Sequence, residues 1–323
     1  MNDLIAQTID TPLPQIRTVT SADASRLSAL TAGSLHWMLE DDRPEVGICR
    51  LAAFAGDEPV GLLLSCKGGD DLQELTSVMV AKAWRGRGIA TMLLSELMKQ
   101  LRQIGRKGVF ARWSSQLPRA SEFARLLASA GWSQPQVTRR RMSWRIGDWP
   151  QAFPDRDRIL ARLEARGLVV RSLAELGADG IADFTAQNTA LIAAGRAPEW
   201  SDTSGWLQVA DQDATVVLSD RNGAVAGWMV CVLQPQFGRW YIPQGWVVAE
   251  KVPLGWLVGG IASLCRRLEA KAGPDAILIA QPPAGIPGGM ERMLYKQFGD
   301  HTVATDFLFE SEFVFASPEQ CEI

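Results

Sequence analysis

Between residues 74 and 104 the pattern of hydrophobic positions changes from that of a strand to that of a helix. Residues 74–80 form an apolar run rich in β-branched side chains, which predicts a strand. After a polar break, apolar residues recur at three- and four-residue spacing, namely Ile89, Met92, Leu93, Leu97 and Leu101. This spacing predicts a helix from about Gly88 to Ile104.

The break between the two elements reads Arg85-Gly86-Arg87-Gly88. Its glycines let the backbone close around a ligand, and a helix start presents unpaired N–H groups at the positive end of its dipole. The two arginines add positive charge, so the segment predicts a site for phosphate or pyrophosphate; the alternative is a turn that is simply basic and rich in glycine. Neither Gly-x-x-x-x-Gly-Lys-Ser/Thr nor Gly-x-Gly-x-x-Gly follows the strand, which argues against nucleotide hydrolysis and dinucleotide redox chemistry.

The chain also repeats itself. Residues 51–66 and 215–231 both read as strand, turn and strand, and the offset from Gly61 to Gly227 (227 − 61 = 166) nearly equals that from Gly131 to Gly299 (299 − 131 = 168). We therefore expect two tandem α/β copies with mixed sheets. The predicted domains are residues 1–150 and 169–323, joined by a linker helix within 151–168.

Composition narrows the class of protein. A chain of 323 residues favours two domains, and 47% hydrophobic residues can build two cores. The net charge of −3, without Lys/Arg runs, argues against nucleic acid or a membrane as the main partner. The N-terminus has no leader pattern and the most apolar run, 255–264, is too short for a membrane span, so we expect a cytoplasmic protein. Five cysteines without Cys-x-x-Cys spacing and two isolated histidines predict no metal.

The segment around the break resembles the acyl-CoA-binding motif of the GNAT family of N-acetyltransferases. Arg85, Gly88 and Ala90 meet the family pattern Arg/Gln-x-x-Gly-x-Gly/Ala. The resemblance implies two tandem GNAT-like domains and acetyl-CoA, or another short acyl-CoA, as co-substrate. It implies as binding residues Val78, Met79, Val80, Arg85, Gly86, Arg87, Gly88, Ile89 and Ala90. The equivalent stretch 246–258 has neither the arginine nor Gly-x-Gly, so we expect a degenerate C-terminal copy.

The resemblance also suggests a general base. Glu74 lies eleven residues before Arg85, where histone-acetylating members of the family carry their base; the alternative is a solvated carboxylate at a strand end. Asp70 and Asp71 are reserve candidates. Strand parity places Glu74, Thr76, Val78 and Val80 on one face if no bulge intervenes. The family binds the developing oxyanion with a backbone N–H, here at Met79 or Val80.

The general acid is harder to place, because Leu127 occupies the position of the family's tyrosine. Tyr295 lies four residues before Gly299, at the family's spacing but in the second half, and is the candidate acid. Alternatively, Tyr295 is a half-buried aromatic residue, and the thiolate is protonated through water or Ser114/Ser115.

The resulting expectation is acyl transfer to a primary amine of a small molecule by direct attack, without an acyl-enzyme. An amino acid, a polyamine or an aminoglycoside-like compound would fit. The alternatives are a protein N-terminus or lysine as acceptor, and a non-catalytic acyl-CoA sensor or scaffold. The sequence does not indicate the oligomeric state.

Overall fold

The computed structural model describes residues 14–69, 71–282 and 290–315. They form two compact units: the first runs up to Val137 and also takes the chain from Leu308 onward, and the second is Thr138–Phe307. This division differs from the predicted ranges of 1–150, 151–168 and 169–323. The difference arises because the last strand of the chain pairs with a strand of the first unit, a long-range contact that local sequence does not reveal.

The first unit is an α/β structure with a mixed sheet. Its strands and helices are β1 (Gln15–Thr18), α1 (Ala24–Leu27), α2 (Trp37–Glu40), β2 (Cys49–Ala55), β3 (Glu58–Lys67), β4 (Leu72–Val80), α3 (Ile89–Gln103), β5 (Gly108–Ser114), α4 (Ala120–Ser129) and the end of β12 (Thr302–Val314). The strand order is β1-β2-β3-β4-β5-β12. Only β4 and β5 are parallel; the other neighbours in this unit are antiparallel.

Each face of this sheet has its own core. On one face α3 buries its apolar stripe, including Leu93, Leu97 and Leu101, as its spacing predicts. Gly61 of β3 lets α3 come close, because a Cβ at that position would lie 2.9 Å from Ile89 Cγ2. The other face is covered by the segment 21–40, which forms α1, α2 and short 3₁₀ turns in place of two regular helices.

The second unit has its own mixed sheet. Its elements are β6 (Gln136–Arg145), α5 (Trp149–Ala152), α6 (Arg156–Ala165), β7 (Leu168–Ser172), α7 (Leu173–Ala193), α8 (Ser204–Leu207), β8 (Val216–Asp220), β9 (Val225–Gln234), β10 (Arg239–Val247), α9 (Trp256–Ala272), β11 (Ile277–Ala280) and α10 (Met290–Phe298). The strand order is β6-β11-β10-β9-β8-β7, and β10 is parallel to β11.

The second unit repeats the element order of the first. Helix α9 starts 167 residues after α3 (256 − 89), and β9 starts 167 residues after β3 (225 − 58). Both helices follow a glycine in the left-handed region, Gly88 at φ 76° and Gly255 at φ 85°. In each unit an antiparallel strand with a bulge precedes the helix, and a strand parallel to it follows.

The helix predicted as a linker is present as α6 but is part of the second unit's core. Ile159 and Leu163 are buried there, and a Cβ on Gly259 of α9 would lie 3.2 Å from Ile159 Cγ2. The apolar pair at i and i+4 therefore packs α6 on α9. Across the described residues, none of the helices combines the length and hydropathy required of a membrane span.

Candidate functional site

A β-bulge in β4 decides which side chains share a face. Leu64 pairs with Ser77 and Ser65 pairs with Leu75, so Thr76 is an extra residue on β4. Val78 and Val80 consequently pack towards α3, whereas Glu74 lies opposite Cys66 on the other face. The parity prediction, which placed Glu74, Thr76, Val78 and Val80 on one face, assumed no bulge and is wrong.

Strands β4 and β5 pair only along their first halves. The parallel register runs from Leu72 opposite Gly108 to Leu75 opposite Ala111, and no later β4 residue pairs with β5 in the described register. Beyond Leu75, the sheet pairing of β4 is with β3 alone. Backbone groups of residues 76–80 that face away from β3 are therefore available to a ligand, and Met79 and Val80, the predicted oxyanion donors, lie in this segment.

The segment after β4 has an open backbone that faces solvent. A 3₁₀ turn, Lys82–Trp84, leads into Arg85, and Gly86 (φ 78°) and Gly88 (φ 76°) take the left-handed conformation. Nothing lies within 4 Å of where a Cβ would stand on either glycine. We call residues 85–88 with the first turn of α3 the cradle. In the described chain no side chain caps α3 and its first turn carries no acid, so its N–H groups suit an anion.

The two arginines of the cradle are held differently. Arg85 Nε donates to Val80 O at 3.0 Å, so this side chain ties the cradle to the end of β4. The Arg87 guanidinium stacks over the Trp84 ring at 4.7 Å. Both residues are exposed, and neither makes an ion pair with another described residue. The basic charge is thus not neutralised by the protein.

The remaining residues of the predicted binding set fall into two groups. Val78, Met79 and Val80 are half-buried along the part of β4 that is not paired with β5. Ile89 is fully buried against the α3-side core, so only its backbone N–H can reach a ligand, and Ala90 is half-buried beside it.

Glu74 is paired with a basic residue of β5. Arg112 Nη2 donates to Glu74 Oε2 at 2.9 Å and Arg112 Nε donates to Oε1 at 3.3 Å. The hydrogen bond to Glu74 raises the pKa of Arg112 above its ordinary value. The Arg112 guanidinium lies over the Phe110 ring at 5.0 Å, and Glu310 of β12 stands opposite it in the strand register. Glu74 is therefore held by a bidentate contact.

Sequence reasoning did not single out Arg112. The available signal was a lone charge inside an otherwise apolar strand, Val109-Phe-Ala-Arg-Trp113. The reserve base Asp71 is engaged elsewhere: its carboxylate pairs with Lys107 at 3.1 Å, and that hydrogen bond lowers the pKa of Asp71. Asp70 lies outside the described residues.

The candidate acids lie in different places. Leu127, at the family's tyrosine position, is only 1% exposed in the α3-side core. Ser114 and Ser115 are half-buried at the end of β5. Tyr295 is on α10 of the second unit, 60% exposed, with Arg140 over its ring at 5.6 Å, so it is not the half-buried residue of the alternative. Its predicted role as acid stays a prediction.

The equivalent of the cradle in the second unit is covered. A Cβ on Gly255 would lie 3.4 Å from Ile159 Cγ2, so α6 packs over the start of α9. Trp256, the first residue of α9, is fully buried and donates from Nε1 to Trp246 O at 3.1 Å. Aliphatic and aromatic contacts occupy the place where the first unit presents an open, basic backbone. Within the described ranges, no group of three or more His, Cys, Asp or Glu side chains is placed to hold a metal.

The first unit thus places an open basic cradle at a helix start, beside a strand that leaves its parallel neighbour. Residues 16–126 match the sequence profile described as the Acetyltransferase (GNAT) family. The match covers about a third of the chain and lies within the first unit. A search of curated proteins found no match.

Solved structures of similar fold span most of the chain. A tandem GNAT protein from the clavulanic acid biosynthesis pathway has a TM-score of 0.64 and 11% identity, covering 94% of this chain and 99% of that one. A GCN5-related N-acetyltransferase from Sphaerobacter thermophilus has a TM-score of 0.52 and 14% identity, covering 94% and 97%. A glucosamine N-acetyltransferase region of a fungal multi-domain β-N-acetylglucosaminidase has a TM-score of 0.62 and 12% identity; the coverage is 94% of this chain but only 38% of that protein. At these identities the likeness concerns the fold alone.

Proposed function

We propose that the first unit transfers an acetyl or other short acyl group from acyl-CoA to a primary amine of a small molecule. The observation that carries the proposal is the position of the cradle at the end of β4, directly after the stretch where β4 is unpaired from β5. A polyanion site and a strand edge that can bind an extended arm are thereby adjacent. Acyl-CoA has both parts, a pyrophosphate and a pantetheine arm.

The described residues fit acyl-CoA on physical grounds. The N–H groups at the start of α3 and the charge of Arg87 would hold the pyrophosphate, while Arg85 keeps the cradle joined to β4. The backbone groups of residues 78–80 that face away from β3 would bind the amide groups of the arm as an added strand does. The open space at Gly86 and Gly88 lets the backbone approach the phosphates without a Cβ in the way.

The chemistry needs a proton acceptor at the amine. The amine nitrogen attacks the thioester carbonyl; its bond to carbon forms, the carbon–sulfur bond breaks, and the amine loses a proton. Glu74 accepts that proton, held in position by Arg112. A backbone N–H at Met79 or Val80 stabilises the developing oxyanion. The leaving thiolate takes a proton from solvent, from Ser114 or Ser115, or from Tyr295.

We further propose that the second unit is a degenerate GNAT-like copy that does not bind acyl-CoA. The shared element order and the two left-handed glycines 167 residues apart (255 − 88) support a common origin of the units. The contact of Ile159 with the start of α9, together with the loss of the basic glycine pattern, supports the absence of binding.

Calorimetric titration of acetyl-CoA into the full chain tests the proposal. Gly88→Trp fills the cradle and should abolish binding. Gly105→Trp is the matched control, because Gly105 has the same backbone conformation (φ 73°) with nothing within 4 Å and lies at the far end of α3. That end is about 22 Å away for a helix of 15 residues. Equal loss in both variants would point to misfolding and would not support the cradle.

Thiol release with a panel of amines then tests turnover. The panel contains amino acids, spermidine, glucosamine, kanamycin and a lysine peptide. Free CoA formed with a small amine and the wild type, and not with Gly88→Trp, would support the proposal. Binding without turnover on any amine would favour a sensor. Direct attack also requires that Cys66→Ala remain active, because Cys66 faces Glu74 across the β3–β4 pair and is the nearby thiol that an acyl-enzyme would use.

A further inference from the structure

The second unit contains a cavity whose lining includes no residue of the cradle. It has a volume of about 210 Å³ and is lined by residues of α7, β7, β8 and the start of β9. Leu176, Phe184 and Val217 supply apolar walls. Pockets for drug-sized ligands are usually about 300–1,000 Å³, so this cavity suits a smaller molecule.

Arg171 places a positive charge on the wall of the cavity. The side chain is half-buried, yet it makes no ion pair with any residue that the structure describes. Its Nη2 donates to Ser219 Oγ at 3.3 Å, and Ser219 is itself buried. The Nε atom is buried without a protein acceptor. A guanidinium has five N–H donors, and Arg171 makes one side-chain hydrogen bond among the described residues, so further donors can bind an anionic group of a ligand.

Asp183 lines the same cavity and carries the opposite charge. It is exposed, its Oδ2 accepts from Gln187 Nε2 at 2.8 Å, and it forms no ion pair with Arg171. Two opposite charges thus line one small cavity without neutralising each other. A molecule that carries both charges can pair with each of them while its carbon atoms contact the apolar walls.

We propose that this cavity binds a small zwitterion with one carboxylate and one ammonium group, of the size of a small amino acid. Arg171 and Ser219 bind the carboxylate, and Asp183 binds the ammonium group. The site lies wholly within the second unit and uses no residue of the cradle. Binding there can therefore be measured without acyl-CoA, whether or not the first unit transfers an acyl group.

The test measures binding to the full chain without acyl-CoA, by calorimetry and ligand-observed NMR. The probes are L-alanine, β-alanine, propanoate (carboxylate only) and propylamine (ammonium only). We expect one of the two zwitterions to bind at least about tenfold more tightly than propanoate or propylamine. Arg171→Gln should abolish zwitterion binding. Asp183→Asn should lower zwitterion affinity to that of propanoate.

Matched controls separate the site from general surface charge. Asp179→Asn changes an exposed acid one turn away on α7 that does not line the cavity, and Arg166→Gln changes an exposed arginine after α6. Both should bind as the wild type does. Circular dichroism checks the folding of each variant. If Arg171→Gln does not fold, Asp183→Asn, which changes an exposed residue, provides the test.

Three results would overturn the proposal. The first is no binding of any probe up to about 20 mM, a concentration at which a site with a millimolar Kd would be mostly occupied. The second is equal binding of propanoate and both zwitterions, which would indicate an anion site. The third is zwitterion binding that survives in a folded Arg171→Gln or is unchanged in Asp183→Asn.

Discussion

Replacing Glu74 by Gln should separate catalysis from acyl-CoA binding. The amide keeps the size of the side chain and one oxygen that can accept from Arg112, but it cannot take a proton from the amine. Loss of a positioned general base typically costs about 10²- to 10⁴-fold in rate, so kcat should fall by that factor. The corresponding increase in the barrier is about 3–5 kcal/mol.

Binding and stability should change little in this variant. The bulge at Thr76 places Glu74 on the face opposite Val78 and Val80, so the strand edge and the cradle are untouched. The Arg112 and Glu74 side chains are 52% and 26% exposed, and ion pairs of this kind contribute at most about 1 kcal/mol. For a chain of this size, the melting temperature should fall by no more than about 4 °C.

The assay is steady-state kinetics with the best amine, combined with acetyl-CoA titration. Glu310→Gln is the matched control, since Glu310 stands opposite Arg112 in the register but does not hold Glu74, and it should keep kcat within about twofold. Arg112→Gln should lower kcat about tenfold by releasing Glu74, and adding it to Glu74→Gln should cause no further loss. Equal losses of kcat and acetyl-CoA affinity in Glu74→Gln, or a kcat near that of the wild type, would refute the role of Glu74 as base.

Three other predictions use different parts of the molecule. In Gly61→Ala the new Cβ meets Ile89 at the start of α3. The free energy of unfolding should therefore fall by about 1–3 kcal/mol in urea titrations, and acetyl-CoA binding should weaken. An acetyl-CoA affinity equal to that of the wild type would contradict this. Calorimetry should give one acetyl-CoA per chain, since Ile159 covers the start of α9 at Gly255; a ratio of two would contradict it. If Tyr295 is the acid, Tyr295→Phe should lower kcat at unchanged acetyl-CoA affinity, and activity within about twofold of wild type would exclude the role.

The elements around the cradle could be predicted because their signals are local. The helix predicted from Gly88 to Ile104 is α3, Ile89–Gln103, and the strand predicted over residues 74–80 lies within β4, Leu72–Val80. Apolar spacing fixes which face of a helix is buried, and two left-handed glycines fix where it starts. The GNAT resemblance rests on the same short stretch and is supported by the family match.

Features that depend on pairing between distant segments could not be predicted. Thr76 is recognised as an extra residue only from the register of β4 against β3. Without that bulge, strict alternation would place Glu74 and Val78 on the same face of the strand. The extent of the compact units depends on the pairing of β12 with β5. The paired residues Leu308 and Ser114 are 194 positions apart in the sequence (308 − 114 = 194). No local pattern carries that information.

The starts of α3 and α9 show that backbone conformation alone does not make an anion site. Gly88 and Gly255 share the left-handed conformation, and each begins a helix of at least 15 residues, so the dipole and the unpaired N–H groups are equivalent. The difference lies in what surrounds them: open space and two arginines at Gly88, and Ile159 at Gly255. A polyanion at α9 would meet the aliphatic side chain of Ile159, and residues 246–258 supply no arginine to balance its charge. Under the proposed common origin of the two units, the absence of the basic pattern and the packing of α6 act in the same direction. A helix start that binds no anion can be covered by another helix, and a covered start does not require arginines.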